Sequence, residues 1–220
     1  MKNIHYCWFG PNELEPLNYE CISTWSKYAS SANIIKWNED NSPVDIPIVK
    51  QALKDKKWAF ASDYVRLWAI YNYGGIYLDT DIELIKNIEH LFDIDCFFGY
   101  QDEILITNGV MGAKKGNILV RRCIERMENN FKKGIFEISP IIVSETLKSN
   151  KNYPVIIFPF DAFYPYKPNR DAVKQLMFKN LTSNTLAIHH WQHSWKLSLL
   201  DRLKIIFRKR IHILKGFFCD

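Results

Sequence analysis

Residues 73–84 read Tyr-Gly-Gly-Ile-Tyr-Leu-Asp-Thr-Asp-Ile-Glu-Leu. A short apolar run bounded by glycines is the pattern of a buried strand. Here the run ends in two carboxylates, Asp79 and Asp81, with no Lys or Arg in the stretch. Side chains alternate along an extended segment, so the two acids are expected to point the same way. Open α/β sheets take their ligands outside the carboxyl ends of their strands. Mg²⁺ or Mn²⁺ commonly takes one or two protein carboxylates there and leaves other positions to substrate phosphates. A D-x-D at a polar loop end is the commoner case, and the buried strand in front of this one favours the metal-binding reading.

The segment just upstream predicts a helix over 62–73. Tyr64, Val65, Leu67, Trp68, Ile70 and Tyr71 give it a broad apolar face, and Gly74-Gly75 end it. Asp63 and Arg66 are three residues apart and share a helix face. Such a pair is usually an ordinary surface ion pair. A guanidinium on a helix that runs into an acidic strand also suits a diphosphate leaving group. Strands are predicted over 3–9, 33–37, 76–78, 81–85, 96–100, 155–159 and 186–191. Helices are predicted over 17–28, 45–56, 117–131, 139–149 and 196–218, and 112–116 is expected to turn. Strands alternating with helices argue an α/β layered fold.

Composition narrows the class. With 220 residues, the chain fits one domain with a sizeable core. Five scattered cysteines without a C-x-x-C pair argue against a disulfide framework or a zinc site and fit a reducing cytosol. No signal peptide is expected at the N-terminus, and no stretch approaches the ~20 apolar residues of a membrane span. The net charge of +5 lies entirely in 196–220, and residues 1–195 sum to zero. That weighs against nucleic acid as a partner of the body. In the tail, Leu200, Leu203, Phe207, Ile211, Leu214 and Phe218 form one stripe, with Lys204, Arg208, Lys209 and Lys215 around it. A helix this basic and amphipathic reads as an anchor on an anionic membrane surface; the alternative is a helix packed on the body with a solvated basic face. The expected organisation is a body of 1–195 followed by this helix.

Three further places bear on chemistry. Trp8, at the end of the first strand, is either core or a stacking surface for a nucleobase. Asn108 lies in Ile-Thr-Asn-Gly-Val-Met-Gly-Ala, where Asn-Gly ordinarily means a turn. The run His189-His190-Trp191-Gln192-His193-Ser194-Trp195 is rich in imidazole, which completes the coordination of manganese-type ions.

Taken in order, IHYCWFG, ASDYVRLWAIYNYGGIYLDTDIE, NGVMGAKKG and AIHHWQHSW resemble the DxD-containing glycosyltransferase family 32, enzymes of bacterial capsule and lipopolysaccharide assembly. More distantly they are similar to the glucosylating domains of large clostridial toxins. The resemblance covers nearly all of the chain to Trp195. It implies a GT-A fold (a Rossmann-like mixed sheet flanked by helices), a nucleotide-sugar donor, Mn²⁺ or Mg²⁺, and retention of anomeric configuration. Carried over by motif, Trp8 stacks on the nucleobase, and Asp63 binds donor hydroxyls. Arg66 binds the donor sugar and diphosphate, and Tyr77 hydrogen-bonds the phosphate. Asp79 lies near the ribose and reaches the metal through water, Asp81 ligates it directly, and Asn108 lies near the transferring sugar. In the toxins the late motif supplies a metal ligand together with a Ser and a Trp that close over the donor; His189, His190, Ser194 and Trp195 stand there in this chain with a different spacing, which leaves open which His or Ser completes the metal site. The expected activity moves a hexose, from a UDP-sugar by preference, to a hydroxyl of a lipid-linked or oligosaccharide acceptor: capsule, O-antigen or lipooligosaccharide, at the inner face of the plasma membrane. The rival readings are a metal-dependent phosphodiesterase or nucleotidyltransferase, and a lapsed sugar-nucleotide-binding scaffold at the membrane.

Overall fold

The computed structural model describes residues 2–135, 137–166 and 180–192. Its main sheet has six strands: β1 (Asn3–Cys7), β2 (Asn33–Trp37), β3 (Gly75–Leu78), β5 (Cys96–Tyr100), β6 (Ile106–Ala113) and β7 (Ile156–Phe158), in the order β2-β1-β3-β6-β5-β7. β2, β1 and β3 are mutually parallel, and β6 runs against both its neighbours. The carboxyl ends of β1 and β3 and the start of β6 therefore meet along one edge. Two further strands, β4 (Ile82–Leu84) and β8 (Ala187–His189), form a separate antiparallel pair that places Ile82 opposite His189.

The helices are α1 (Pro16–Tyr28), α2 (Pro47–Lys54), α3 (Trp58–Tyr73), α4 (Ile118–Lys132), α5 (Ser139–Ser149) and the short α6 (Phe160–Phe163). Strand alternation sorts the core into two layers. Tyr77, Cys96, Phe98 and Met111 pack on one face of the sheet with α3, α4 and α5. Ile76, Leu78, Phe97 and Val110 pack on the other with Trp25 of α1 and Phe163 of α6. α3 is apolar almost all round, with Ala61, Tyr64, Val65, Leu67, Ala69 and Ile70 buried, as a helix sandwiched between layers must be.

The Gly74-Gly75 pair links α3 to β3. Gly75 has φ +110, and a Cβ there would collide with the backbone oxygen of Asn3 in β1. Buried His5 of β1 braces this corner, with Nε2 2.9 Å from the Gly74 oxygen and Nδ1 accepting from Trp37 Nε1 at 3.1 Å.

Several sequence expectations change. The helix predicted from residue 62 begins at Trp58, one turn earlier. The Asn108-Gly109 dipeptide is no turn: it lies inside β6, whose eight residues are all buried. β6 also takes in Gly112 and Ala113, so the turn is confined to the residues after them. The expected tail helix, 196–218, lies outside the described residues, as do Ser194, Trp195 and Cys219. Among the described residues no helix is long and apolar enough to cross a membrane.

Candidate active site

Asp79 follows β3 directly and belongs to the same face as Tyr77, the face that packs on α3. The chain then turns, with the Ile82 N–H donating to the Asp79 carbonyl at 3.0 Å, and enters β4. This turn corrects the expectation of an extended D-x-D. The two carboxylates are not simply parallel: Asp79 is directed to α3, and Asp81 to β8.

Arg66 of α3 organises the first half. Its Nη2 lies 3.2 Å from Asp63 Oδ1 and 3.1 Å from Asp79 Oδ1. Its Nη1 lies 3.4 Å from both Asp79 Oδ2 and the Asn108 carbonyl oxygen. The guanidinium also sits over the Tyr77 ring, 4.6 Å from its centroid, while Tyr77 Oη donates to Asp79 Oδ1 at 3.1 Å. Charge-assisted bonds of this kind are the strong ones, and the fork geometry is particular to arginine. Burial still outweighs the neighbouring cation at both acids. It pushes Asp63 up to about 6, against the pull of Arg66. Asp79 is likewise raised by burial, with Arg66 opposing.

The other half centres on Asp81. Its Oδ1 is 3.0 Å from His189 Nε2, and its Oδ2 accepts from the Gln192 backbone N–H at 2.9 Å. Burial acts to raise the Asp81 pKa, but the His189 charge and these hydrogen bonds together hold the carboxyl well below its ordinary range. For His189, burial acts downward, and Asp81 outweighs it to give a raised value. Both shifts describe one ion pair. His190 is directed elsewhere, with Nε2 2.8 Å from Glu83 Oε2. Of the two imidazoles, the structure brings that of His189 to the acidic turn and directs that of His190 to Glu83.

Close packing makes room for Asp79. A Cβ on Gly109, beside it in β6, would come within 2.6 Å of Asp79 Oδ2 and 3.0 Å of Tyr164 Oη. Tyr164 in turn accepts from the Val110 N–H at 2.8 Å and fixes β6 against the site. The Asn108 side chain is fully buried, with Oδ1 accepting from Ser139 Oγ at 2.6 Å, so in this structure it meets the cluster through its backbone carbonyl alone. Trp8 is half-buried at the end of β1, its Nε1 donating to the Asn12 carbonyl at 2.7 Å. Burial pushes the thiols of Cys7, Cys21, Cys96 and Cys123 up to about 12, so none offers a thiolate.

Asp79 faces the Arg66 guanidinium and Asp81 faces the His189 ring. Two carboxylates and an imidazole are the donor types that suit Mn²⁺. His189 Nδ1 is buried without a hydrogen-bond partner, and Asp81 is ionised, so the residues fit a divalent ion in kind. Among the described residues, no three such donors already stand as a metal cluster. Sequence reasoning did not single out Asn18, Thr80, Gln192, Gly109 or Tyr164. Thr80 inside D-x-D, Gly109 inside the NGVMGAKKG stretch and Gln192 inside AIHHWQHSW lie within motifs, whereas Asn18 and Tyr164 carried no signal.

Comparison with known proteins follows the same outline. Residues 17–98 match the family model described as a glycosyltransferase sugar-binding region containing a DXD motif. The human lactosylceramide 4-alpha-galactosyltransferase is 23% identical over 146 residues, 59% of this chain and 40% of that protein. Its rat counterpart is 24% identical with the same coverage. The chain thus spans about 40% of the length of these curated relatives. Among solved structures, PaToxG glycosyltransferase superposes with a TM-score of 0.55 at 18% identity, over 68% of each chain. A glycosyltransferase involved in the glycosylation of the major capsid of PBCV-1 gives 0.53 at 14% identity, over 86% of this chain and 93% of that one. The fold is the expected GT-A type.

Proposed function

From the match of residues 17–98 to a glycosyltransferase sugar-binding region containing a DXD motif, we propose that this protein is a divalent-metal-dependent, retaining hexosyltransferase that uses a nucleotide-sugar donor. The observation that carries this reading is the Asp63–Arg66–Asp79 cluster at the carboxyl end of β3, set beside the Asp81–His189 pair. Asp79, Asp81 and His189 are the residues that would hold Mn²⁺ or Mg²⁺, and the ion would neutralise charge on the leaving diphosphate.

The protein's own residues do the rest. Arg66 shares its guanidinium between two partly buried carboxylates, so it is held in place before any donor arrives and offers a preorganised cation to the β-phosphate. Asp63 accepts from donor hydroxyls, and Trp8 offers its half-buried ring to the base. Ser194, Trp195, Tyr77 and Asn108 keep the roles the family resemblance implies, with Asn108 acting through its carbonyl on Arg66. The bond from the anomeric carbon to the phosphate oxygen breaks with its electron pair on that oxygen. The acceptor hydroxyl bonds to the same face of that carbon, and its proton goes to the departing phosphate. A glycosyl-enzyme adduct trapped with a slow donor would overturn this front-face route in favour of a covalent one.

The curated relatives are named for α-linked galactosyl transfer to lactosylceramide, which supports a hexosyl donor and a glycolipid type of acceptor. A growing lipid-linked surface glycan fits both that and the basic amphipathic tail. The decisive assay is release of UDP or GDP from a panel of nucleotide sugars with Mn²⁺. Release is expected with one donor, lost on adding EDTA and lost in Asp81→Ala. A folded protein that releases nucleotide from no donor would instead favour a binding scaffold.

A further inference from the structure

Asn18 and Gln192 are 174 positions apart, carry no charge, and meet beside the acidic turn. Asn18, 1% exposed, uses its whole carboxamide. Its Oδ1 accepts from the Glu15 N–H at 3.0 Å at the start of α1. Its Nδ2 donates to Gln192 Oε1 at 2.7 Å and lies 3.3 Å from Thr80 Oγ1, the central residue of D-x-D. Gln192 Nε2 donates to Glu15 Oε2, so both ends of the Gln192 side chain are tied to α1. The Gln192 backbone N–H is the donor to Asp81 Oδ2.

The chain is bent to reach this point. Trp191 has φ +52, a conformation that side chains other than glycine adopt at a cost. Its ring lies 4.0 Å from the His189 ring by centroids, and its Nε1 donates to the Tyr166 carbonyl at 3.0 Å. Just before the bend the His190 N–H donates to the Asp81 carbonyl at 3.0 Å, extending the β4–β8 pairing, and just after it the Gln192 N–H donates to the Asp81 carboxylate. A strained residue persists only where its surroundings over-determine it. The tether from Gln192 to α1 is one such constraint, applied one residue after the strain.

We propose that Asn18 and Gln192 are positioning residues that clamp the D-x-D turn, fixing the Asp81 carboxylate from the side opposite His189. The inference rests on the metal-site reading above for its functional meaning, and on the hydrogen-bond network alone for its structural meaning. Groups that orient ligating carboxylates typically alter metal affinity 10–100-fold when removed. Because Asn18 acts on Asp81 largely through Gln192, the two side chains form a single device, and their losses should not add.

Two measurements test the clamp. The first is amide hydrogen exchange of the metal-free protein. Asn18→Ala should speed exchange of the Gln192 N–H by about tenfold, the worth of one released hydrogen bond, while amides of β1 and β3 stay protected. Asn18→Asp keeps the acceptor for the Glu15 N–H but cannot donate to Gln192, so it should behave as the alanine variant does. Gln192→Ala retains the backbone donor and tests the tether where α1 variants fold poorly. The second is Mn²⁺ binding followed by the loss of the free-ion paramagnetic resonance signal. Asn18→Ala, Gln192→Ala and the double variant should each bind about tenfold more weakly, and to the same extent. A backbone amide at position 192 that remains protected in all three single variants overturns the clamp. Additive losses of Mn²⁺ affinity would overturn its action as one device. If the wild-type protein takes up no Mn²⁺, with or without UDP, the metal-site reading fails instead, and the exchange data still decide the clamp.

Discussion

Arg66 shows how much of the site is decided by single residues. One guanidinium serves Asp63, Asp79 and the Asn108 carbonyl, yet burial still leaves Asp63 with a carboxyl pushed up to about 6. A carboxyl whose pKa is raised on folding contributes stability below its unfolded value of about 3.9 and loses it as the pH climbs through the folded value. For Asp63 the loss therefore falls between about pH 4 and 6. Asp63→Asn carries no such penalty. At pH 7 it should raise stability of the metal-free protein by about 1–3 kcal/mol and flatten the pH 4–6 slope in urea titrations, while donor turnover is lost. Unchanged stability with an unchanged pH slope would count against a strained, functional Asp63. Gly109 makes the complementary case in steric terms. Gly109→Ala places a methyl group against Asp79 Oδ2 and Tyr164 Oη. It should cost about 1–3 kcal/mol through overpacking and displace Asp79 from Arg66. Donor release should fall at least tenfold with the fold intact by circular dichroism.

At the scale of elements, β2, β5 and α5 have the bounds that periodicity predicted. They are regular pieces whose pattern is local. Local rules assign Asn-Gly to a turn, whereas β6 holds it extended, with Asn108 Oδ1 accepting from Ser139 of another element and Gly109 packed against Asp79. Both reasons are tertiary and leave no mark on spacing. The turn at D-x-D, where the pattern predicts strand, has a similar cause, since it is held by the pairing of β4 with β8. Asp63 with Arg66 was legible because i,i+3 spacing on a helix is local. Arg66 with Asp79, and His189 rather than His190 with Asp81, depend on how α3 and β8 dock. The corner between α3 and β3 was legible as well, and it carries a sharp expectation. Gly75→Ala must place a Cβ against the Asn3 backbone oxygen at a φ of +110. Since β1 cannot retreat without leaving its partners on both sides, the variant should lose at least about 3 kcal/mol or fail to fold. A melting temperature within a few degrees of wild type would show that this corner is softer than its contacts imply.

Over the whole molecule, charge is divided between a balanced body and a basic tail: all of the net +5 lies in 196–220. Within the body, residues 1–195 balance in charge and the Arg66 guanidinium at the site is engaged by carboxylates, so an anionic surface finds no comparable excess of positive charge there. Association with an anionic membrane should therefore be a property of the tail, and transfer chemistry a property of the body. Each Lys or Arg near an anionic lipid surface contributes about 1 kcal/mol, and this attraction weakens as the Debye length shrinks from about 10 Å at 0.1 M salt to about 3 Å at 1 M. The full chain should sediment with vesicles containing anionic phospholipid and be released by high salt, and vesicles of zwitterionic lipid should hold it weakly. Deleting 196–220 keeps Ser194 and Trp195, so it should abolish sedimentation while nucleotide release from the donor continues at a comparable rate. Vesicle binding that survives the deletion would move the membrane contact onto the body. Loss of donor turnover on deletion would mean that the tail completes the site.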